Sequence, residues 1–280
     1  MCTYICRFVI PMRKISYTVP PALDGSSVAA VLRSHGFSTA LLRSLKKTYG
    51  ALSRNGCPVR TVDPVHTGDI VAVELNTDGA TAPPSAEKAV IVYADRDILV
   101  VNKRAGMAMY ETYNHHGNAL SNAVAAAGFD GPFRPIYRLD KDTSGLVVLA
   151  RHQLSAAKLA GKVQKDYYAV VPGAYTGSGT VDAPIAHCPD STVKRQVDPA
   201  GVRAVTHWEA LGQQGGRTLL RVQLETGRTH QIRVHFAHLG TPLVGDSLYG
   251  TAPVGTRHLL HCKTIRLILS LIHISEPTRP

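Results

Sequence analysis

The stretch YRLDKDTSGLVVLA, residues 137–150, places a short acidic segment between a basic residue and a strongly apolar run. The run at 146–150 has the length and the branched side chains of a buried strand. Thr, Ser and Gly at 143–145 favour a tight turn into that strand, because hydroxyl groups bond nearby backbone and glycine tolerates unusual backbone angles. Asp140 is therefore placed to point its carboxylate into a cleft. The residues alone leave a second reading open, since most Asp residues beside turns only cap backbone N–H groups.

Apolar runs elsewhere in the chain predict further strands at residues 89–93, 98–101, 167–171 and 219–224. Loops and a few short helices separate these runs. We therefore predict an α+β fold, in which a domain with a large mixed, mainly antiparallel sheet is flanked by helices and loops. A small α/β module precedes that domain.

The module at the start of the chain is predicted from its helix caps and turns. Residues 27–36 and 38–50 each begin with a Ser that can cap a helix and end at a Gly. Asn55 followed by Gly56 is a strong two-residue hairpin signal, and the apolar run at 70–73 follows it. The pattern predicts two helices followed by a small β element.

The composition of the chain changes between the module and the large domain. We predict a module at residues 14–76, a linker at 77–88, a large domain at 89–267 and a tail at 268–280. The linker is rich in Gly, Pro, Thr and Ala, which disfavour regular structure. The tail, ILSLIHISEPTRP, resembles translated sequencing-adaptor sequence, and we expect that it is not native.

Charge gives the first indication of a partner. The chain has 31 Lys and Arg against 20 Asp and Glu, a formal net charge of +11, and such a field attracts polyanions. Residues 26–62 contain no acid. This one-sign segment predicts RNA binding, although a solvated helix face has the same appearance. The candidate contacts within it are Arg43, Lys46, Lys47 and Arg54.

Cysteines and hydropathy indicate a cytoplasmic protein. The five cysteines are scattered, with no CxxC pair, so neither a disulfide framework nor a zinc site is predicted. Residues 1–12 lack a long apolar core and a cleavage site, and there is no run of 18 apolar residues. We expect no export signal and no membrane partner.

The stretch ETGRTHQIRVHFAHLG, residues 225–240, has the pattern of a helix. Thr229 can cap its start and Gly240 can end it, with Ile232, Phe236 and Leu239 forming a buried stripe. Arg233 follows Ile232 and lies at the margin of that stripe. A guanidinium there is costly unless it meets a carboxylate, so we expect an acidic partner from elsewhere in the sequence.

Three histidines of this stretch, His230, His235 and His238, raise the question of a metal. There is no HExxH spacing, and positions five and eight apart do not gather on one helical face. We therefore predict no metal site, and keep a metal-dependent hydrolase as the third of three functional hypotheses.

Taken together, the motifs resemble one family. Three stretches are similar, in this order, to the motifs of the RluA-type (large-subunit rRNA type) pseudouridine synthases. They are RLDKDTSGLVVLA (138–150), KDYYAVV (165–171) and TGRTHQIRVHFAHLGTPLVGDSLYG (226–250). Two further stretches have a weaker similarity to the same family, YADRDILVVNKRAGM (93–107) and RAVTHWEAL (203–211). The module at 14–76 resembles the alpha-L RNA-binding module of ribosomal proteins and some RNA-modifying enzymes.

Two positions depart from the family pattern. Tyr137 stands where the family usually has His, and Arg104 where it usually has Pro. Both flank the motifs, so they concern the fit of the RNA more than the chemistry.

The resemblance implies roles for particular residues. Asp140 would be the nucleophile or base that acts on the target uridine, Arg233 its ion-pair partner, and Tyr167 the aromatic side chain that packs on the flipped base. Whether the carboxylate attacks the ribose or abstracts a sugar proton stays open. Further candidates for RNA contact are Arg138, which could fill the vacated space, and Lys165, Arg228 and Lys103, which could contact phosphate.

The sequence thus predicts an RNA pseudouridine synthase, an isomerase that needs no cofactor. Its substrate would be ribosomal RNA, with tRNA as the second choice. We expect a cytoplasmic monomer with no required protein partner. The alternative is an RNA-binding protein without catalytic activity.

Overall fold

The computed structural model describes residues 13–75, 81–111 and 117–267. The expectations for residues 1–12, for the start of the linker at 77–80 and for the tail at 268–280 lie outside these ranges. Within them, the chain divides into two compact units. The first comprises residues 13–101, 117–137 and 148–160, and the second comprises 102–111, 138–147 and 161–267.

The first unit begins with two helices and a small antiparallel sheet. The elements are β1 (Arg13–Thr18), α1 (Val28–Ser34), α2 (Thr39–Lys47), β2 (Leu52–Arg54), β3 (Cys57–Pro58) and β4 (Ile70–Leu75), with a 3-10 turn at Pro21–Leu23. The strand order in the sheet is β1-β4-β2-β3.

The predicted caps and turn account for these elements. The hydroxyl oxygens of Ser27 and Ser38 accept hydrogen bonds from the amides of Ala30 and Leu41, each at 3.2 Å. Asn55 and Gly56 both have positive φ, of 50° and 85°, as a two-residue hairpin requires. The predictions of two helices, a hairpin and a following strand are confirmed.

The first unit also contains the strands and helices that follow the linker. These are β5 (Val90–Ala94), the start of β6 (Ile98–Lys103), α3 (Leu120–Ala126) and α4 (Gln153–Leu159). Leu154 of α4 packs into the same buried cluster as the leucines of α2. The proposed boundary at residues 77–88 stays a prediction.

The elements from β7 onward are β7 (Ser144–Ala150), β8 (Val163–Pro172), β9 (Ser178–Asp182), β10 (Ile185–His187), β11 (Arg195–Val197), β12 (Val205–Gln214), β13 (Arg217–Leu224), α5 (Gln231–His238) and β14 (Leu260–Leu267). Over the described residues, the large sheet has eight strands in the order β5-β6-β7-β14-β8-β13-β12-β9. The β7–β14 pair is parallel, whereas β14–β8, β8–β13, β13–β12 and β12–β9 are antiparallel. The predicted α+β class, its mixed, mainly antiparallel sheet and each predicted strand are confirmed. Over the described ranges, no helix has the length and apolar character needed to cross a membrane.

Candidate active site

Asp140 lies in a turn that leads directly into β7. The amide of Thr143 donates to the Asp140 carbonyl at 3.1 Å, which closes the turn. The Thr143 hydroxyl lies 2.8 Å from Nε2 of buried His258, and the Ser144 hydroxyl accepts from Arg257 at 2.6 Å. These bonds fix the backbone on the carboxyl side of Asp140.

Gly145 has a different purpose from the one predicted. The turn covers 140–143 and the strand already begins at Ser144, so Gly145 is not part of a turn. Its φ is 122°, and a Cβ there would lie 2.5 Å from the backbone nitrogen of Cys262 in β14. Glycine is needed because the two backbones of the parallel pair approach too closely for any side chain.

Lys103 supports the same turn from beneath. Its side chain is completely buried, and its ammonium donates to the carbonyls of Arg104, Met107 and Lys141 at 3.1, 2.8 and 2.9 Å. Burial lowers the pKa of Lys103 to about 8, and the charges of nearby Asp142 and Asp140 limit that fall. The predicted contact of Lys103 with RNA phosphate stays a prediction, and it is not favoured by this enclosure of the ammonium by backbone carbonyls.

Helix α5 carries Arg233 but begins differently from the prediction. Thr229 does not cap the helix; the N-cap residue is His230, which has a left-handed backbone and no side-chain cap bond. Instead, Oε1 of Gln231 accepts from the Thr226 hydroxyl and the Arg228 amide. Gly240 follows the C-cap with a φ of 76°, as expected.

The buried face of α5 is wider than the predicted stripe. Every residue from 231 to 236 is buried, including Ile232, Arg233 and Phe236. Leu239, which we expected to be buried, is 44% exposed. It lies one residue beyond the end of the helix.

Arg233 lies between two carboxylates. Its Nε and Nη2 donate to Oδ2 and Oδ1 of Asp246 at 2.7 and 2.9 Å, and its Nη1 lies 3.5 Å from Oδ2 of Asp140. Burial alone would lower the pKa of Arg233, but the hydrogen bonds and charge of Asp246 and the charge of Asp140 outweigh burial and raise it. The expected acidic partner is present, and a second one, Asp246, was missed.

Asp246 completes the support of the guanidinium. Its side chain is fully buried, and Oδ1 also accepts from the amides of Leu248 and Tyr249, each at 3.0 Å. Burial alone would raise its pKa, but the bonds and charge of Arg233, together with these amides, outweigh burial and lower it. Asp246 lies in the stretch GDSLYG (245–250), which belongs to the family motif. Because it is a loop residue, no helix or strand periodicity indicates that it pairs with Arg233.

Tyr167 lies in the middle of β8, opposite Cys262 of β14 and Val222 of β13. It is only 5% exposed, and burial raises its pKa well above the usual value, with a further contribution from the charge of Asp140. The phenol is therefore protonated at neutral pH. Its stacking on a flipped base stays a prediction.

Two further side chains lie beside Asp140. Nε2 of His230 is 3.9 Å from Oδ2 of Asp140, and Nδ1 is 2.8 Å from the hydroxyl of Tyr249. The guanidinium of Arg233 lies 5.0 Å from the centre of the Tyr249 ring, a cation–π distance. Burial lowers the pKa of His230 and raises that of Tyr249.

Two of the three histidines considered as metal ligands, His230 and His235, have separate surroundings. His235 is buried, with Nδ1 2.8 Å from the Thr206 hydroxyl and Nε2 3.0 Å from the Ala183 carbonyl oxygen, whereas His230 faces Tyr249. In the parts of the chain that the structure describes, no group of three or more His, Cys, Asp or Glu side chains could hold a metal ion.

The other predicted RNA contacts differ in exposure. Arg138 and Arg228 are exposed, and Nε of Arg228 donates to the Arg203 carbonyl. Lys165 is half-buried in β8, and burial lowers its pKa. None of these positions is tested as an RNA contact by the geometry.

In the first unit, the predicted contacts lie on and beside α2. Arg43, Lys46 and Lys47 are exposed on the helix. Arg54 is half-buried; it donates to the Pro64 carbonyl at 2.6 Å and lies 3.9 Å from Asp69. Part of its charge is therefore balanced within the chain.

The arrangement in the second unit can supply one reacting carboxylate. Asp140 is the more exposed member of the cluster, at 28%, whereas Arg233 behind it is 8% exposed. A carboxylate so placed can act as a nucleophile or as a base, and the fixed guanidinium can stabilise its charge. The site in the second unit is thus suited to an enzyme reaction that uses one carboxylate.

Comparison with known proteins identifies the family. Residues 97–238 match the family described as RNA pseudouridylate synthase. The chain is 37% identical over 246 residues to an uncharacterized RNA pseudouridine synthase, YjbO, of Bacillus subtilis, covering 83% of this chain and 87% of the relative. It is 39% identical over 212 residues to the ribosomal large subunit pseudouridine synthase D of Pseudomonas aeruginosa, covering 72% and 66%.

A solved structure agrees with these sequence matches. Human RNA pseudouridylate synthase domain containing 1 superposes with a TM-score of 0.56 at 27% identity, covering 66% of this chain and 81% of that one. The chain belongs to the RNA pseudouridylate synthase family. It is an RNA pseudouridine synthase and an isomerase, as the RluA-type resemblance predicted, and no match favours the non-catalytic alternative.

Proposed function

We propose that this chain isomerises uridine in ribosomal RNA and that Asp140 is the reacting carboxylate. The observation that carries the proposal is the position of Asp140: its Oδ2 lies 3.5 Å from Nη1 of Arg233, whose other donors are held by Asp246. Asp140 is thus partly open to solvent in front of a fixed positive charge.

The isomerisation of uridine requires one reacting carboxylate, which Asp140 can supply. It breaks the bond from N1 of uracil to C1′ of the ribose, turns the base, and joins C5 to C1′; the proton lost from C5 is balanced by one gained at N1. Asp140 either attacks C1′ or removes a sugar proton, and both routes use the same carboxylate. Arg233 stabilises the negative charge of that carboxylate whenever it is released.

The substrate must leave its stack to reach the carboxylate. Unstacking a base costs a few kcal/mol, and contact with an aromatic side chain returns about 1–3 kcal/mol. Tyr167 is the proposed aromatic contact. Arg138, exposed and two residues before Asp140, is the proposed side chain that occupies the vacated space.

Ribosomal RNA is favoured as the substrate for two reasons. One similar relative is named as a ribosomal large subunit enzyme, and the first unit carries exposed cations on α2. Transfer RNA is the second candidate. Since Asp140, Arg233, Asp246 and Tyr167 all come from one unit of one chain, we also propose that the enzyme acts as a monomer, and the scattered cysteines favour the cytoplasm.

The test uses RNA that carries tritium at C5 of uridine, because isomerisation releases that hydrogen. Asp140→Asn should abolish tritium release from a large-subunit rRNA transcript and leave RNA affinity within about twofold of the unaltered chain. Asp142→Asn, a carboxylate in the same turn, is the matched control and should retain activity. An active Asp140→Asn variant would refute the role of Asp140, and release from tRNA alone would refute the choice of substrate.

A further inference from the structure

His230 has a backbone conformation that non-glycine residues adopt only rarely. Its φ is 58° and its ψ is 17°, in the left-handed region. Among the described non-glycine residues, only Asn55 in the hairpin turn shares a positive φ. Such a conformation costs a non-glycine residue free energy, and residues of this kind cluster at functional sites. The imidazole at this position therefore needs a compensating purpose.

The hydroxyl of Tyr249 determines which nitrogen of His230 carries the proton. The amide of Arg195 can only donate, so at 3.0 Å the Tyr249 oxygen is its acceptor. Among the contacts of the described residues, Nδ1 of His230, 2.8 Å away, is the acceptor within reach of the hydroxyl proton, and the tautomer that satisfies both groups leaves Nδ1 unprotonated. Because a neutral imidazole with an acceptor at Nδ1 has its proton at Nε2, His230 is an Nε2–H donor.

That donor faces the reacting carboxylate. Nε2 of His230 is 3.9 Å from Oδ2 of Asp140, the same oxygen that lies 3.5 Å from Nη1 of Arg233. Both distances exceed an ideal hydrogen bond, and catalytic hydrogen bonds commonly tighten when substrate binds. His230 and Arg233 thus approach one oxygen of Asp140 from α5 and its N-cap.

We propose that His230 is a positioning residue of the pseudouridine synthase reaction: Tyr249 holds it as an Nε2–H donor, and this donor orients Asp140 through Oδ2 so that Oδ1 meets the ribose. The inference rests on the proposed role of Asp140. It explains why a histidine occupies a position that glycine or asparagine would adopt at lower cost. Tyr249 acts one step further back, through the tautomer of His230.

The experiment compares two replacements of His230. The side-chain oxygen of asparagine can accept from Tyr249 and its backbone tolerates a left-handed φ, but it is too short to reach Asp140. Glutamine places an N–H donor where Nε2 was. The readout is the single-turnover rate of tritium release from a large-subunit rRNA transcript labelled at C5 of uridine, with RNA affinity and thermal unfolding measured in parallel.

His230→Asn should fold and bind the transcript like the unaltered chain but release tritium about tenfold more slowly, the effect of one lost hydrogen bond of about 1.4 kcal/mol. His230→Gln should restore most of the rate. Tyr249→Phe should slow the unaltered chain by a similar factor but have little effect on His230→Gln, since an amide has no tautomers. Tyr93→Phe, which loses a hydroxyl bonded to Asp95 in the first unit, is the matched control.

Each outcome is decisive. A His230→Asn variant as fast as the unaltered chain overturns the inference, and so does a Tyr249→Phe effect of equal size on both backgrounds. If His230→Asn fails to fold, equal rates for His230→Gln and His230→Leu overturn it, and a faster His230→Gln supports it. If the unaltered, folded chain releases no tritium from any RNA, the proposed function itself fails, and the inference with it.

Discussion

Asp246 accepts two hydrogen bonds from Arg233, at 2.7 and 2.9 Å, and so determines where the guanidinium points. Because Asp246 holds Nε and Nη2, only Nη1 is directed toward Asp140, at 3.5 Å. Asp140 therefore has a fixed positive charge beside it without being locked in a two-point ion pair. A carboxylate in such a pair would have to break it to react, whereas this one stays available.

Asp246→Asn should destabilise the fold more than most surface changes. It leaves the buried guanidinium of Arg233 with only the longer contact to Asp140, and breaking a buried pair in this way costs about 3–5 kcal/mol. Denaturant unfolding measures the loss. The double variant Arg233→Leu with Asp246→Leu should lose less stability than Arg233→Leu and Asp246→Leu added together, since neither member of the buried pair is then left without the other; additive losses would contradict this account.

Gly145→Ala should disrupt the start of β7. The new methyl group would overlap the backbone of Cys262 in β14, where neither strand can move without breaking the parallel pair. We expect a loss of at least about 2 kcal/mol in the free energy of unfolding, together with reduced activity because Asp140 precedes this strand. Gly216→Ala, also at positive φ but with open space around it, is the control and should cost about 1 kcal/mol.

Lys103 gives a pH dependence whose sign can be worked out. Its pKa in the folded chain is about 8, below its ordinary value of 10.5. Between these values the unfolded chain holds a proton that the folded chain has lost, so stability gains from this group as the pH rises from about 8 to 10. The free energy of unfolding should increase by up to roughly 1 kcal/mol per pH unit relative to Lys103→Met. Parallel curves for the two proteins from pH 7 to 10 would refute the assignment.

Much of the fold could be predicted because it depends on local signals. Strand β7, the Ser caps of α1 and α2 and the Asn55–Gly56 hairpin each follow from a few adjacent residues. The sequence also predicted that Arg233 has an acidic partner, since a cation at the margin of a buried helical stripe requires a carboxylate beside it. Local pattern was sufficient wherever the chain interacts with itself over short distances.

The remaining features of the site depend on contacts between distant segments. The resemblance implied that Lys103 could contact phosphate, yet its ammonium is buried against the carbonyl of Lys141, 38 residues away in the sequence. Gly145 is predicted to be a turn residue from its neighbours Thr143 and Ser144, because nothing near it in the sequence shows that it packs against Cys262 of β14. The Thr229 cap was wrong because His230 takes a left-handed backbone that composition does not reveal. No periodicity marks such positions.

The cations on α2 should contribute to RNA affinity in a salt-dependent way. Arg43, Lys46 and Lys47 are exposed, and each phosphate contact that they make releases a counterion. Replacing all three with Ala should weaken binding of the rRNA transcript and reduce the slope of log affinity against log salt by up to about 2, measured by filter binding at several salt concentrations.

A second triple variant, Lys194→Ala, Arg217→Ala and Lys263→Ala, removes the same charge from exposed positions in the second unit. If it lowers the slope equally, the net charge of the chain, and not the α2 surface, governs RNA binding. Thermal unfolding accompanies both measurements, because Lys46 and Lys47 also stabilise the last turn of α2.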